Sequence, residues 1–102
     1  MSGHARAFRE AAQVGVCGGC GQPGYPLDPH HVLPKRFLRG LPESVRYDKR
    51  NVLGLHRHCH ELHTTRAQRL PRSVVPESAW EFARELGDPY LFYLEQEYAD
   101  VP

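Results

Sequence analysis

Apolar residues recur at helical spacing towards both ends of this chain, while its middle is broken by glycine, proline and charge. Near the start, Ala5, Phe8, Ala12 and Val14 mark one face of a helix over residues 2–13, with Ser2 as its cap and Gly15 as its stop. The segment CGGCGQPGYP, residues 17–26, is turn chemistry around two cysteines and predicts a tight knuckle. Two short strands are expected, Leu27–Leu33, interrupted by Pro29, and Asn51–Leu55. Between them, residues 34–50 are basic and broken by Pro34, Gly40 and Pro42, which predicts a long loop of the kind that commonly carries function. A helix is expected from Cys59 to about Leu70, stopped by Pro71, followed by a linker at 72–76. Trp80, Phe82, Ala83 and Leu86 give a buried face to a helix over Pro76–Leu86, with Gly87 as its stop. Asp88 at the cap and Pro89 at the first helical position then open a last helix to about Ala99. Its Tyr90, Leu91, Leu94 and Tyr98 follow i, i+3, i+4 spacing, which reads as helix core rather than a platform for stacking bases.

The expected fold class is therefore α+β: a hairpin-and-helix core flanked by an N-terminal helix and two C-terminal helices. With 102 residues, 40% of them hydrophobic, one domain is expected, and its core is small enough to need a staple. Residues 1–72 form the body of that domain, and residues 73–102 an acidic extension packed on it. No apolar run approaches the ~20 residues a membrane span requires, and the first ten residues hold no apolar signal region, so no membrane partner and a cytoplasmic location are expected. The net charge of +1 conceals an asymmetry: residues 1–72 carry 12 Lys/Arg against 5 Asp/Glu, and residues 73–102 carry 1 against 7. A basic body with an acidic tail fits a body that meets a polyanion.

Three cysteines cannot close a disulfide framework, and four of the seven histidines fall within residues 56–63. Cys17-Gly-Gly-Cys20 and His56-Arg-His-Cys59 are two ligand pairs, each with two intervening residues. Structural zinc wants four such ligands in a closed tetrahedron, so Cys17, Cys20, His56 and Cys59 are the expected set. His58 is too close to Cys59 in sequence to chelate comfortably beside it.

A second group of residues is Asp28-Pro-His30-His31-Val-Leu-Pro34, then Asn51-Val-Leu-Gly-Leu55, then Cys59-His60. In the order and spacing of these motifs, residues 17–64 resemble the HNH endonuclease family with its ββα-metal fold. The resemblance implies His30 and His60 as ligands of a divalent ion, His31 as general base and Asn51 as the residue that positions the base-bearing loop. It also implies cleavage of DNA to 5′-phosphate and 3′-hydroxyl ends. The family often has a further histidine four residues after the helix histidine. Here that place holds Thr64, and His63 stands one residue earlier, which leaves His63, Thr64 or water as the third ligand. His56 stands where the family usually has cysteine. Imidazoles favour Zn²⁺, Ni²⁺ or Mn²⁺ by affinity while Mg²⁺ prefers oxygen, so the ligands do not single out an ion.

Lys35, Arg36, Arg39, Arg46 and Arg50 lie between the two histidine-bearing segments, where they could meet phosphates without reading sequence. The function expected by resemblance is thus a DNA endonuclease of weak sequence preference, encoded by a phage or other mobile element in a bacterial host. The competing expectations are a non-catalytic zinc-binding nucleic-acid module, and an accessory protein whose acidic helices dock onto a larger enzyme such as a packaging motor.

Overall fold

The computed structural model describes residues 3–13, 15–24, 26–67 and 69–98. Among them, five α-helices surround a two-stranded antiparallel sheet. Helix α1 (Gly3–Ala11) is followed by the cysteine knuckle, strand β1 (Asp28–His31), helix α2 (Glu43–Arg46), strand β2 (Val52–Leu55) and helix α3 (Arg57–Thr64). Helices α4 (Glu77–Leu86) and α5 (Asp88–Glu97) close the chain.

In the sheet, His30 pairs with Leu53 and His31 with Val52, while Pro29 opposes Gly54. Each strand has a free edge, and that is where a proline, with no N–H to give, is tolerated. Both ends of β1 are held by amide side chains that imitate a strand partner. Before it, Gln13 accepts from the Leu27 N–H at 2.8 Å and donates to the Leu27 carbonyl at 2.6 Å. After it, Asn51 accepts from the Leu33 N–H at 2.6 Å and donates to the Leu33 carbonyl at 3.0 Å.

Helix α1 lies against β2 through Phe8, Ala12 and Val52. The contact is close: a Cβ on Gly54 would stand 1.9 Å from the Ala12 carbonyl oxygen. The main core joins Leu27, Val32, Leu33 and Leu55 to Trp80, Phe82, Leu94 and Tyr98. The C-terminal segment therefore shares one core with the cysteine knuckle and the sheet. Among the described residues no helix is long and apolar enough to cross a membrane.

Several boundaries differ from the sequence reading. Residues 34–50 are an ordered run of short turns, 3₁₀ at Lys35–Phe37 and Lys49–Asn51 with α2 between them. Pro34 and Pro42 begin two of these turns, and the run sends Leu38 fully into the interior. Strand β1 is shorter than Leu27–Leu33, and Asn51 belongs to the turn before β2. Helix α3 starts at Arg57 and ends at Thr64, well short of Leu70. There the Thr65 hydroxyl bonds back to the Glu61 carbonyl at 2.9 Å, and Arg66 takes a left-handed φ of 63°. That reversal returns Leu70 to the core. The linker at 72–76 contains a 3₁₀ turn at Arg72–Val74. Gly87, with φ 124°, both ends α4 and caps α5, so Asp88 is already inside α5 and makes no capping bond. The expected cap Ser2, the face residue Val14 and the expected helix end Ala99 lie outside the described residues.

Candidate functional site

The cysteine and histidine pairs converge as expected. One ligand atom from each of Cys17, Cys20, His56 and Cys59 lies within 4.8 Å of the other three. Zinc with ligands at 2.0–2.3 Å in a tetrahedron separates neighbouring ligand atoms by about 3.3–3.8 Å. Cys20 Sγ and His56 Nδ1 are 3.4 Å apart. Burial of Cys17 opposes its ionisation, but backbone N–H groups of His56, Cys20 and Gly19 outweigh it and bring the thiol to about 7. The first and last of these donate to Cys17 Sγ at 3.3 Å. Gly19 is required for this convergence, since a Cβ there would meet Cys59 Cβ at 2.7 Å. The four residues thus form a site that can hold a structural metal such as zinc, tying the N-terminal knuckle to the start of α3.

The histidine pair lies at the end of β1, where His30 and His31 oppose Leu53 and Val52 of β2. Successive strand residues point to opposite faces, and here His30 turns towards α3 and α5 while His31 turns towards α1. The His30 ring meets His60 edge-on at 5.4 Å and His63 at 5.0 Å. The Phe8 ring lies 4.3 Å from the His31 ring, tilted by 31°, and Tyr47 flanks it at 6.0 Å. Even so, His30, His31, His60 and His63 all line one cleft of about 700 Å³. Lys35 and Arg36 stand on the same cleft.

Each histidine has a distinct environment. Burial pushes His30 down to about 3, helped by His63, His60 and His31. Burial and then Lys35 push His31 down to about 4, opposed by a hydrogen bond to the Arg46 backbone. His31 Nε2 is buried with no hydrogen-bond partner. His60 Nδ1 lies 3.6 Å from Asp28 Oδ2.

His63 is placed differently from the expected third ligand. It is 6% exposed, its Nδ1 accepts from the Leu70 N–H at 3.1 Å, and its Nε2 faces Glu97 at 3.7 Å. Nδ1 is thereby occupied, Nε2 is turned to a carboxylate, and burial lowers its pKa. Thr64 lines the cleft but is exposed. Among the described residues, the only group of three or more His, Cys, Asp or Glu side chains whose ligand atoms converge is the cysteine–histidine cluster; in the cleft, His30 and His60 stand ring to ring, with the Asp28 carboxylate beside His60.

Asn51 is fully buried and faces away from the cleft, its side chain spent on Leu33 and its carbonyl on the Val32 N–H at 3.1 Å. Of the cationic residues, Lys35, Arg36, Arg39 and Arg46 line a smaller pocket beside the cleft together with Tyr47. Arg50 is elsewhere: it is held by Asp48 at 3.1 Å and by Glu85 of α4, which ties the loop to the C-terminal helices. Five neighbours of the histidines were not singled out from the sequence: Phe8, Asp28, Tyr47, Glu97 and Tyr98. Asp28 stood within the quoted motif. Phe8 and Tyr98 carried only the helical spacing of core residues.

Comparison with family models, with curated proteins and with solved structures finds no match.

Proposed function

We propose that this chain is a metal-dependent DNA endonuclease of the ββα-metal type, with His31 as general base and one divalent ion held by His30 and His60. The observation that supports the reading is the cleft shared by His30, His31 and His60, with Lys35 and Arg36 on its wall. Phosphodiester hydrolysis needs a base, a cation and a held phosphate, and these residue types can supply all three. An ion bound there would stabilise the charge that develops on the phosphate.

The chain's own groups do the rest. His31 is neutral at neutral pH, and its Nε2 has no hydrogen-bond partner in the protein, so this is the nitrogen that would take a proton from water. Lys35 and Arg36 neutralise the phosphates on either side of the scissile bond. Asn51 and Gln13 act on geometry alone, pinning β1 at both ends. Nε2 of His31 is sealed from solvent, so a water reaches it only when a neighbour moves, and Phe8, packed against the ring, is such a neighbour.

That sealed nitrogen favours one second reading, a non-catalytic zinc-binding nucleic-acid module. Plasmid nicking with Mg²⁺, Mn²⁺ or Ni²⁺ separates the two. The nuclease reading expects metal-dependent nicking that falls about 100-fold or more in His31→Ala. DNA binding with no nicking under any of the three ions would favour the second reading, and nicking unchanged in His31→Ala would remove His31 as the base.

A further inference from the structure

Tyr98 lies just past the end of α5, 1% exposed, with its ring stacked on His63 at 5.7 Å and 9° from parallel. Its hydroxyl stands between two polar groups, His30 Nε2 at 2.8 Å and the Val32 carbonyl oxygen at 3.3 Å. A phenol has one proton to give. A carbonyl oxygen can only accept, so both contacts are hydrogen bonds at once only when the Tyr98 proton goes to Val32 and the hydroxyl oxygen accepts from His30. Of the two neutral imidazole tautomers, only the one protonated on Nε2 supplies that hydrogen, and it leaves the lone pair on Nδ1.

We propose that Tyr98 is a positioning residue that fixes His30 as the Nε2–H tautomer and so makes Nδ1 the atom His30 offers to a cation in the cleft. The tautomer follows from the hydrogen-bond geometry; its consequence for an ion rests on the nuclease reading. Outer groups of this kind orient a ligating ring and raise its basicity. The arrangement also gives the acidic C-terminal segment a place in the site, because α5 carries the chain directly to the hydroxyl that orients the histidine on β1.

Long-range proton–nitrogen correlation spectra of the full zinc-loaded chain test this, with the His30 signals assigned by their loss in His30→Gln. The wild type is expected to show His30 protonated on Nε2. Tyr98→Phe, which keeps the ring stacked on His63, is expected to show a mixture of both tautomers. An Nδ1-protonated His30 in the wild type overturns the proposal, as does an unchanged His30 spectrum in Tyr98→Phe. Should Tyr98→Phe fail to fold, the wild-type spectrum decides alone. Calorimetric titration of the same zinc-loaded proteins with Ni²⁺ tests the consequence: Tyr98→Phe is expected to bind the cleft ion about 10-fold more weakly. Equal Ni²⁺ affinity in both proteins overturns Tyr98's effect on the ligand and leaves the nuclease reading standing. No Ni²⁺ binding by the wild type removes the ion from that reading and leaves the tautomer assignment intact.

Discussion

Truncating Asn51 to alanine removes a side chain that touches no solvent and makes two hydrogen bonds to one residue. The Leu33 N–H and C=O are both buried, so water does not replace what the amide gave them. Each orphaned group costs roughly 1–3 kcal/mol, which sums to about 2–6 kcal/mol before any cavity is counted. A domain of this size has a total stability on the order of 5–15 kcal/mol. At roughly 4–8 °C per kcal/mol, a loss near the middle of that range lowers Tm by about 15–30 °C. Thermal and guanidinium unfolding of the zinc-loaded protein measure it directly. Asn51→Asp keeps the acceptor for the Leu33 N–H but sets a carboxylate against the Leu33 carbonyl, and is expected to be at least as damaging. Gln13→Ala breaks the matching clamp at the other end of β1, where the partners are only partly buried, and is expected to cost clearly less. An Asn51→Ala protein within about 1 kcal/mol of wild type would refute the clamp. Wild-type stability with lost nicking would instead move Asn51 into the chemistry.

Gly54→Ala sets a methyl group 1.9 Å from the Ala12 carbonyl, which only a shift of the end of α1 relieves; a loss of about 3 kcal/mol and faster proteolysis near residue 12 are expected, and unchanged proteolysis would show that α1 does not lie where described. One zinc per chain is expected to survive purification and to be lost in Cys17→Ala. Because structural zinc contributes roughly 10–16 kcal/mol of apparent binding energy, more than such a domain has to spare, chelation is expected to unfold the protein, and a folded, metal-free wild type would refute the site. His30 and His31 titrate below the ordinary histidine value, at about 3 and about 4, so the unfolded chain takes up their protons first. Stability is then flat above about pH 6.5 and falls as pH drops from there towards 4. Guanidinium midpoints taken with zinc content checked at each pH would show it, and His31→Leu should flatten the slope.

Much of the architecture was legible because local chemistry dictated it. The Cys17/Cys20 and His56/Cys59 pairs meet in an arrangement that could hold a structural metal such as zinc, and their spacing pointed to it. The errors came where one local rule met another. Asp88-Pro89 is a sound helix opening, yet Gly87 sits so close to the end of α4 that a single residue serves both helices. Apolar spacing carried the third helix on to Leu70, but the Thr65 back-bond and the turn at Arg66 end it six residues earlier. Leu70 is buried as expected, reached by a reversed chain rather than by two more helical turns. The basic stretch at 34–50 had the composition of a loop, and composition does not register that Leu38 is needed inside.

The site's finer control was not legible, for a reason that His30 and His31 make plain. They are the same residue one peptide bond apart, and strand geometry alone sends their rings to opposite faces. What differentiates them is the partner each ring nitrogen finds. His31 meets the Arg46 backbone, and its Nε2 is left without a partner. The Tyr98 hydroxyl accepts from the Nε2–H of His30 and leaves the lone pair on Nδ1. One partner is a backbone atom, which any residue at position 46 would supply. The other is a tyrosine whose helical spacing marks it equally well as core, which it also is. No periodicity or motif separates a buried tyrosine that only packs from one whose hydroxyl sets a proton 68 residues away. On the nuclease reading, a change at Tyr98 alone would therefore alter which nitrogen His30 offers to the cleft, with both histidines and both faces kept.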